Sequence, residues 1–179
     1  MGISGRWSTR ANALSGIRLI LAPLLVWALL GDAAQLAGGI FAVALITDLA
    51  DGWVARRFEE SSALGGLIDH VADASFVALG CAALAWQGEY PWPLPGLIVI
   101  AFLEYAGSAW RSSTGMLRKS PLGRWNGIAY YVALGVPVVR DALQLAAPGP
   151  AWVRGLGWVL VASTLASIVQ RRWPKGRAR

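Results

Sequence analysis

Residues 48–56 read DLADGWVAR, and residues 65–73 read GGLIDHVAD. These two stretches place four aspartates, Asp48, Asp51, Asp69 and Asp73, in sequence that is otherwise apolar. An ionised carboxylate in hydrocarbon costs several kcal/mol unless something compensates its charge. The four acids therefore indicate a functional site.

The spacing of the aspartates predicts two helical faces. Asp48 and Asp51 are three residues apart, and Asp69 and Asp73 are four apart, so each pair projects from one side of its helix. Carboxylates that converge between neighbouring helices repel one another and require cations. Because an all-oxygen ligand set suits a hard ion, the pattern predicts a Mg²⁺ or Mn²⁺ site with these four aspartates as ligands.

The composition is typical of an integral membrane protein. Of 179 residues, 56% are hydrophobic, and the chain contains ten tryptophans. The net charge of +6 comes from short basic clusters between apolar segments, which does not favour nucleic acid as a partner. A single cysteine, Cys81, excludes a disulfide within the chain and predicts a buried thiol.

Six apolar segments predict a single all-α domain over residues 1–179, a bundle of six transmembrane helices. The predicted helices span residues 11–30, 36–57, 65–86, 97–111, 127–146 and 153–170, with a basic loop between the fourth and the fifth. With both termini cytoplasmic, fourteen of the sixteen basic residues lie inside and only Arg140 and Arg154 outside. The aspartates then face the cytoplasm, and the basic tail 171–179 faces anionic lipid.

Four further polar residues allow predictions of their own. The position of Arg18 within the first helix favours a side chain that snorkels to the cytoplasmic interface. Glu104 and Arg111 are two helical turns apart, so they share a face and are expected to point into the same cavity as the aspartates. His70 directly follows Asp69 and points about 100° away from it on a helix, which predicts a structural role.

The two stretches also resemble the signature of the CDP-alcohol phosphatidyltransferase family. The signature is D-x-x-D-G-x-x-A-R, eight residues, then G-x-x-x-D-x-x-x-D, and the chain fills it with Asp48, Asp51, Gly52, Ala55, Arg56, Gly65, Asp69 and Asp73. The resemblance implies a phospholipid-synthesising homodimer of a bacterial inner membrane. Such an enzyme transfers a phosphatidyl group from CDP-diacylglycerol to a hydroxyl of a small polar acceptor and releases CMP.

The resemblance also implies roles for individual residues. Asp48, Asp51 and Asp69 would hold two divalent ions, and Asp73 would be the general base, with a metal-ligand role for Asp73 open. The positions that would contact the CDP moiety are Gly52, Ala55, Arg56 and Gly65. Asn12, Arg18 and Pro23 are similar to the start of the family's first helix, where such residues lie at the mouth of the active site.

The acceptor is the least constrained prediction. Residues 104–111, EYAGSAWR, resemble a stretch of bacterial phosphatidylglycerophosphate synthases, and Gly123-Arg124 resembles their G-K, but Leu103 and Asn126 replace two expected cations. The basic set favours glycerol 3-phosphate or an inositol phosphate; it consists of Arg18, Arg111, Arg118, Lys119 and Arg124. The positive-inside rule explains the same residues equally well. Inositol, serine, and transfer from a CDP-alcohol to diacylglycerol stay open.

Two other classes of protein place acids in membranes. Prenyltransferases with paired aspartate motifs need a larger bundle and an N-x-x-x-D motif, and the chain has neither. A divalent-cation transporter would distribute its acids across the membrane, whereas these four lie near one face, and Arg56 beside them would repel a permeating cation. The sequence therefore favours the enzyme.

Overall fold

The computed structural model describes residues 10–57, 63–111 and 121–172, which form six α-helices. They are α1 (Arg10–Leu30), α2 (Ala34–Arg57), α3 (Ala63–Trp86), α4 (Pro93–Arg111), α5 (Pro121–Ala142) and α6 (Pro150–Arg172). The predicted all-α class is confirmed for these residues. The basic residues Arg118 and Lys119 and the tail 173–179 lie outside the described part.

The helix ends differ from the predicted ones where proline begins a helix. α4, α5 and α6 each begin at a proline, a residue favoured in the first turn because it has no N–H to leave unsatisfied. The loop predicted to end at Arg124 is therefore shorter, and Arg124 lies in the first turn of α5. At its other end α5 stops at Ala142, four residues early, because Gln144 adopts a left-handed conformation with φ of 56°.

The helices pack around one apolar core. α1 lies against α2 and α3, α3 against α4, and α5 against α2 and α6, while α4 also contacts α6. Phe76, Leu84 and Leu134 are among the fully buried side chains at the centre. A Cβ on Gly135 would lie 2.7 Å from the ring of Phe41, so this glycine allows α5 to approach α2 closely.

Within the part of the chain that the structure describes, three helices are long and apolar enough to cross a membrane. The qualifying spans are Ala13–Leu30, Gly65–Trp86 and Pro150–Gln170, and α2 and α4 contain shorter apolar stretches, Ala34–Ala50 and Pro93–Glu104. Charges shorten the apolar stretch of α2, which contains Asp48, Asp51, Arg56 and Arg57. Many large apolar side chains face outward, as expected for contact with lipid; Trp27, Ile46 and Val159 are more than 60% exposed.

Polar contacts tie the helix ends farthest from the aspartate motif. Arg140 is buried and donates to Glu89 and Asp141, at 3.0 Å and 2.6 Å. Arg154 donates to the Gly88 carbonyl at 2.7 Å, and the buried hydroxyl of Tyr90 donates to the Ala133 carbonyl at 2.6 Å. Burial raises the pKa of Tyr90. At this end of the bundle the arginines are therefore paired with acceptors from the protein itself.

Candidate metal and phosphotransfer site

Three of the four motif aspartates converge between α2 and α3. Asp48 comes from the C-terminal half of α2, and Asp69 and Asp73 come from successive turns in the N-terminal half of α3. One carboxylate oxygen from each of these residues lies within 4.8 Å of the others. The side chain of Asp51 lies outside the described residues. The prediction that the two aspartate pairs face one another is confirmed for these three.

Arg18 of α1 lies inside this group of carboxylates. Its side chain is fully buried and donates to Asp48 at 2.7 Å and directly to Asp69 and Asp73. The prediction that Arg18 snorkels to the interface is therefore wrong. A guanidinium can stay at this depth because three charged partners compensate the cost of its desolvation. An isolated arginine in apolar surroundings has no such partners.

Two hydroxyl groups hold the carboxylates from other sides. Ser15, one turn before Arg18, donates to Asp69 Oδ1 at 3.3 Å. Tyr131 of α5 donates to Asp73 Oδ1 at 2.9 Å, and its ring stacks on Phe76 with centroids 6.3 Å apart. Neither residue was predicted from the sequence. Ser15 could have been predicted, because it lies three residues before Arg18 on the same helix face. Tyr131 could not be chosen over Tyr130 without knowing how α5 is rotated about its axis relative to α3.

The arrangement fits a divalent cation. Three aspartates against one arginine leave two negative charges, which is the charge that one Mg²⁺ or Mn²⁺ balances. Oxygen ligands of one Mg²⁺ lie about 2.1 Å from the ion and so within about 4.2 Å of each other, close to the separation found here. The side chains of Asp48, Asp69 and Asp73 are 31%, 35% and 23% exposed, so an ion can reach them from solvent.

The remaining predicted site residues lie at the same ends of the helices. α2 continues without a break through Gly52, Ala55 and Arg56, whose side-chain surroundings lie outside the described residues, as do those of Arg111 and Arg124 at the ends of α4 and α5. Gly65 is half-buried in the first turn of α3. The predicted CDP contacts are thus placed near the aspartates in the fold, and their roles stay predictions.

Glu104 of α4 and His70 of α3 stand apart from the group of three aspartates. Glu104 is half-buried on α4 and is not among the described carboxylates that converge. His70 packs its ring against Phe102 of α4, with centroids 5.8 Å apart, which agrees with the structural role predicted for it. This ring contact joins α4 to the motif helix α3, and within the described residues the convergent acids come from α2 and α3.

Asn126, which replaces an expected cation, is a buried neutral residue of the helix interface. It is 5% exposed, and its side-chain oxygen accepts a hydrogen bond from Ser163 of α6 at 2.6 Å. A lysine at this position would place a charge in the contact between α5 and α6. Asn126 is therefore part of the contact between α5 and α6.

Comparison with known proteins identifies the family. The model of the CDP-alcohol phosphatidyltransferase family matches residues 8–169. A CDP-diacylglycerol–glycerol-3-phosphate 3-phosphatidyltransferase of Cereibacter sphaeroides is 27% identical over 82% of this chain and 72% of its own length. A cardiolipin synthase (CMP-forming) of Rattus norvegicus is 37% identical over 51% of this chain.

A third relative matches a similar share of the chain. It is a probable phosphatidylglycerophosphate synthase of Mycobacterium tuberculosis, 32% identical over 52% of this chain and 48% of its own length. The match covers only 30% of the length of the rat cardiolipin synthase. No solved structure gives a significant match. The family model covers nearly all of the described residues and both aspartate stretches, and the chain therefore belongs to the CDP-alcohol phosphatidyltransferase family.

Proposed function

We propose that this protein transfers a phosphatidyl group from CDP-diacylglycerol to glycerol 3-phosphate and releases CMP. The convergence of Asp48, Asp69 and Asp73 around a buried arginine, within helices that present apolar side chains outward, carries this proposal. The glycerol-3-phosphate 3-phosphatidyltransferase of Cereibacter sphaeroides, which matches 82% of the chain, supports the choice of acceptor.

The reaction is a substitution at phosphorus. The acceptor hydroxyl oxygen forms a bond to the phosphorus that carries diacylglycerol, the bond from that phosphorus to the oxygen bridging to CMP breaks, and CMP leaves with the electron pair. The proton of the hydroxyl goes to Asp73. Divalent ions held by Asp48, Asp51, Asp69 and, in part, Asp73 would neutralise the charge of the two phosphates.

The chain's own residues position these groups. Arg18 fixes the three carboxylates against one another, and Tyr131 fixes the carboxylate of Asp73 through its hydrogen bond at 2.9 Å. On the same side, Gly52, Ala55, Arg56 and Gly65 contact the CDP moiety. The phosphate of the acceptor is bound by basic residues at the nearby helix ends and in the adjoining segment, namely Arg111, Arg118, Lys119 and Arg124, with Glu104 orienting the acceptor.

The proposed topology has six membrane spans, both termini in the cytoplasm and the aspartates facing the cytoplasm of a bacterial inner membrane, in a homodimer. The basic residues support this orientation, since among those in the described helices only Arg140 and Arg154 lie at the opposite end. There the charge of Arg140 is compensated by Glu89 and Asp141. The far end therefore carries little free positive charge.

A second acceptor is favoured by one observation. The rat and human cardiolipin synthases match at 37% and 36% identity, above the 27% of the Cereibacter enzyme, although over 51% of the chain. Cardiolipin is a glycerol that carries two phosphatidyl groups, so forming it by this reaction would use phosphatidylglycerol as the acceptor. The second candidate is therefore transfer to a lipid.

The test is CMP release by the purified protein with CDP-diacylglycerol, Mg²⁺ or Mn²⁺, and a panel of acceptors. The panel contains glycerol 3-phosphate, phosphatidylglycerol, inositol phosphate, inositol and serine, and a second reaction pairs a CDP-alcohol with diacylglycerol. We expect release with glycerol 3-phosphate, lost in Asp73→Asn. Asp32→Asn is the matched control, because Asp32 is exposed between α1 and α2 and its φ of 54° suits asparagine. CMP release with a different acceptor only would assign that acceptor in place of glycerol 3-phosphate. A folded protein that releases no CMP with any acceptor or metal would favour cation transport.

A further inference from the structure

Three aromatic rings from three different helices stack in a column beside Asp73. Phe76 of α3 is the middle ring, and it stacks with both Phe41 of α2 and Tyr131 of α5. The centroids are 6.4 Å apart for Phe41 and Phe76 and 6.3 Å apart for Phe76 and Tyr131, with interplanar angles of 28° and 19°. Near-parallel rings at these distances are offset stacks, an arrangement that aromatic pairs prefer. These three residues are called the aromatic column below.

The rings of the aromatic column are held tightly by their surroundings. Phe76 is fully buried, and Phe41 is 8% exposed. Phe41 also lies against Gly135, where an added Cβ would be 2.7 Å from the end of the ring. Because Gly135 is one turn beyond Tyr131, α5 contacts the column at two successive turns. A close-packed interior leaves a ring little room to shift, so the position of Phe76 fixes that of the Tyr131 ring.

Each helix of the column also contributes a side chain to the aspartate site. Phe76 is three residues after Asp73 on α3, about 4.5 Å farther along the helix axis on nearly the same face. Phe41 is seven residues before Asp48 on α2, two turns along one face. On α5, the Tyr131 hydroxyl donates to Asp73 Oδ1 at 2.9 Å. The aromatic column is therefore the apolar layer next to the carboxylates.

The hydrogen bond from Tyr131 to Asp73 depends on where the tyrosine ring lies. The hydroxyl is fixed to the end of a rigid ring, so a shift of the ring displaces the donor by a similar distance. Hydrogen bonds weaken steeply as their distance and angle depart from the preferred values. In the proposed reaction Asp73 takes the proton of the acceptor hydroxyl, and a base must lie within hydrogen-bond reach of that proton. Contacts that fix the Tyr131 ring therefore also orient the base.

We propose that Phe76 is a positioning residue for this reaction, whose ring holds Tyr131 where the tyrosine hydroxyl orients Asp73. Phe41 supports Phe76 from α2 and acts through it. The inference rests on the proposed function, because it assigns residues that orient the base of that reaction. Phe76 is apolar and offers no group to the chemistry, so its effect on turnover passes through Tyr131. A residue that only fills the core would instead change stability with no link to Tyr131.

The first test is a double-mutant cycle on CMP release by the full protein. Phe76→Leu keeps an apolar side chain but removes the ring, and kcat should fall about fivefold with KM within about twofold of the wild-type value. In the Tyr131→Phe background the same substitution should change kcat by less than about 1.5-fold, because the hydrogen bond that it disturbs is already absent. Losses that multiply in the double variant would overturn the proposal.

Leu84→Val is the matched control for lost packing. Leu84 is fully buried on the same helix, about 12 Å beyond Phe76 and farther from Asp73. Its replacement should lower the melting temperature and leave kcat within about twofold of the wild-type value. A fall in kcat as large as that in Phe76→Leu would overturn the proposal in favour of general packing. If Phe76→Leu does not fold, Phe41→Leu replaces it in the same cycle, with an expected loss of about threefold.

The second test does not depend on turnover. The four tyrosines are replaced by 3-fluorotyrosine, and the fluorine NMR signal of Tyr131 is identified by its absence from Tyr131→Phe. The change of this signal on Asp73→Ala measures the contact between the hydroxyl and the carboxylate. We expect most of that change to be lost in the Phe76→Leu background and kept in Leu84→Val. The ring current of Phe76 cancels in this comparison, because it is absent from both Phe76→Leu proteins.

The outcomes separate the positioning role from the reaction. A response to Asp73→Ala that is equal in the wild type and in Phe76→Leu would overturn the proposal. Unchanged kcat in a Phe76→Leu protein that has lost this response would overturn it as well, because the orientation of Asp73 would then not limit turnover. Loss of the response in a protein that releases no CMP would contradict the proposed function and leave the positioning of Tyr131 by Phe76 standing.

Discussion

Two buried arginines in this bundle have different surroundings. Arg140 pairs with Asp141, its neighbour in sequence, and with Glu89, both at the end of the bundle closed by loops. Arg18 pairs with three aspartates that lie 30, 51 and 55 residues away on two other helices. The net charge of the Arg140 group is −1, and that of the Arg18 group is −2. The carboxylates of the Arg18 group are partly exposed to solvent. A structural tie needs only local compensation, whereas a surplus of acids assembled from separate helices indicates a cation site.

The largest effect is expected at Asp73. Asp73→Asn should reduce CMP release by about 10³-fold, because a general base contributes roughly 10²–10⁴-fold and the carboxylate is one of the convergent three. Binding of the CDP-linked donor, measured by isothermal titration calorimetry, should be largely retained. Loss of donor binding equal to that in Asp48→Asn would contradict the role of Asp73 as the base.

Exchange of the two arginines for glutamine should give losses of different kinds. Arg18→Gln leaves three carboxylates facing one another, which should cost about 3 kcal/mol of unfolding free energy in chelator. Part of that loss should be restored by Mg²⁺ or Mn²⁺. Arg140→Gln should also destabilise, but without any response to metal, because its partners are not part of the convergent set.

Thermal unfolding in detergent, with EDTA or with Mn²⁺, measures this difference. For a chain of this size about 3 kcal/mol corresponds to roughly 6–12 °C in Tm. If Arg18→Gln and Arg140→Gln responded to metal to the same extent, the distinction between a cation site and a structural tie would be lost.

Adjacent tyrosines provide a smaller and closer comparison. Tyr131→Phe removes the hydrogen bond to Asp73 and should lower kcat about tenfold with little change in KM, the value of one hydrogen bond to a charged group. Tyr130→Phe removes a buried hydroxyl whose partner is Thr164 at 2.5 Å. It should lower the melting temperature and leave kcat nearly unchanged. Equal effects on kcat would contradict a specific role of the Tyr131 hydroxyl at Asp73.

The smallest effect compares two glycines of the α2 and α5 pair. A Cβ on Gly135 would meet the Phe41 ring at 2.7 Å, so Gly135→Ala should destabilise by about 1–2 kcal/mol. A Cβ added to Gly39 of α2 would meet no atom within 4 Å. Gly39→Ala should therefore stabilise the protein by about 0.5–1 kcal/mol through helix propensity. Melting temperatures of the two variants should therefore move in opposite directions, and a shift of the same sign in both would contradict the close contact.

The sequence was most informative where residues on one helix act together. The spacing of Asp69 and Asp73 placed both on one face, and the family signature tied them to Asp48, so the three-carboxylate cluster could be predicted. Arg18 was misjudged because depth in a membrane helix favours snorkelling unless partners are known, and its partners are distant in sequence. Tyr131 was missed for the same reason: its partner Asp73 is distant in sequence, and the contact depends on how α5 is rotated relative to α3.

The central claim is that the aspartate cluster, and not the Arg140 group, binds a divalent cation. The most direct measurement is Mn²⁺ binding followed by electron paramagnetic resonance in the wild-type protein, Asp69→Asn and Asp141→Asn, each in the same detergent. We expect Mn²⁺ binding in the wild type and Asp141→Asn, and its loss in Asp69→Asn. Binding that survives in Asp69→Asn, or that disappears in Asp141→Asn, would contradict the account.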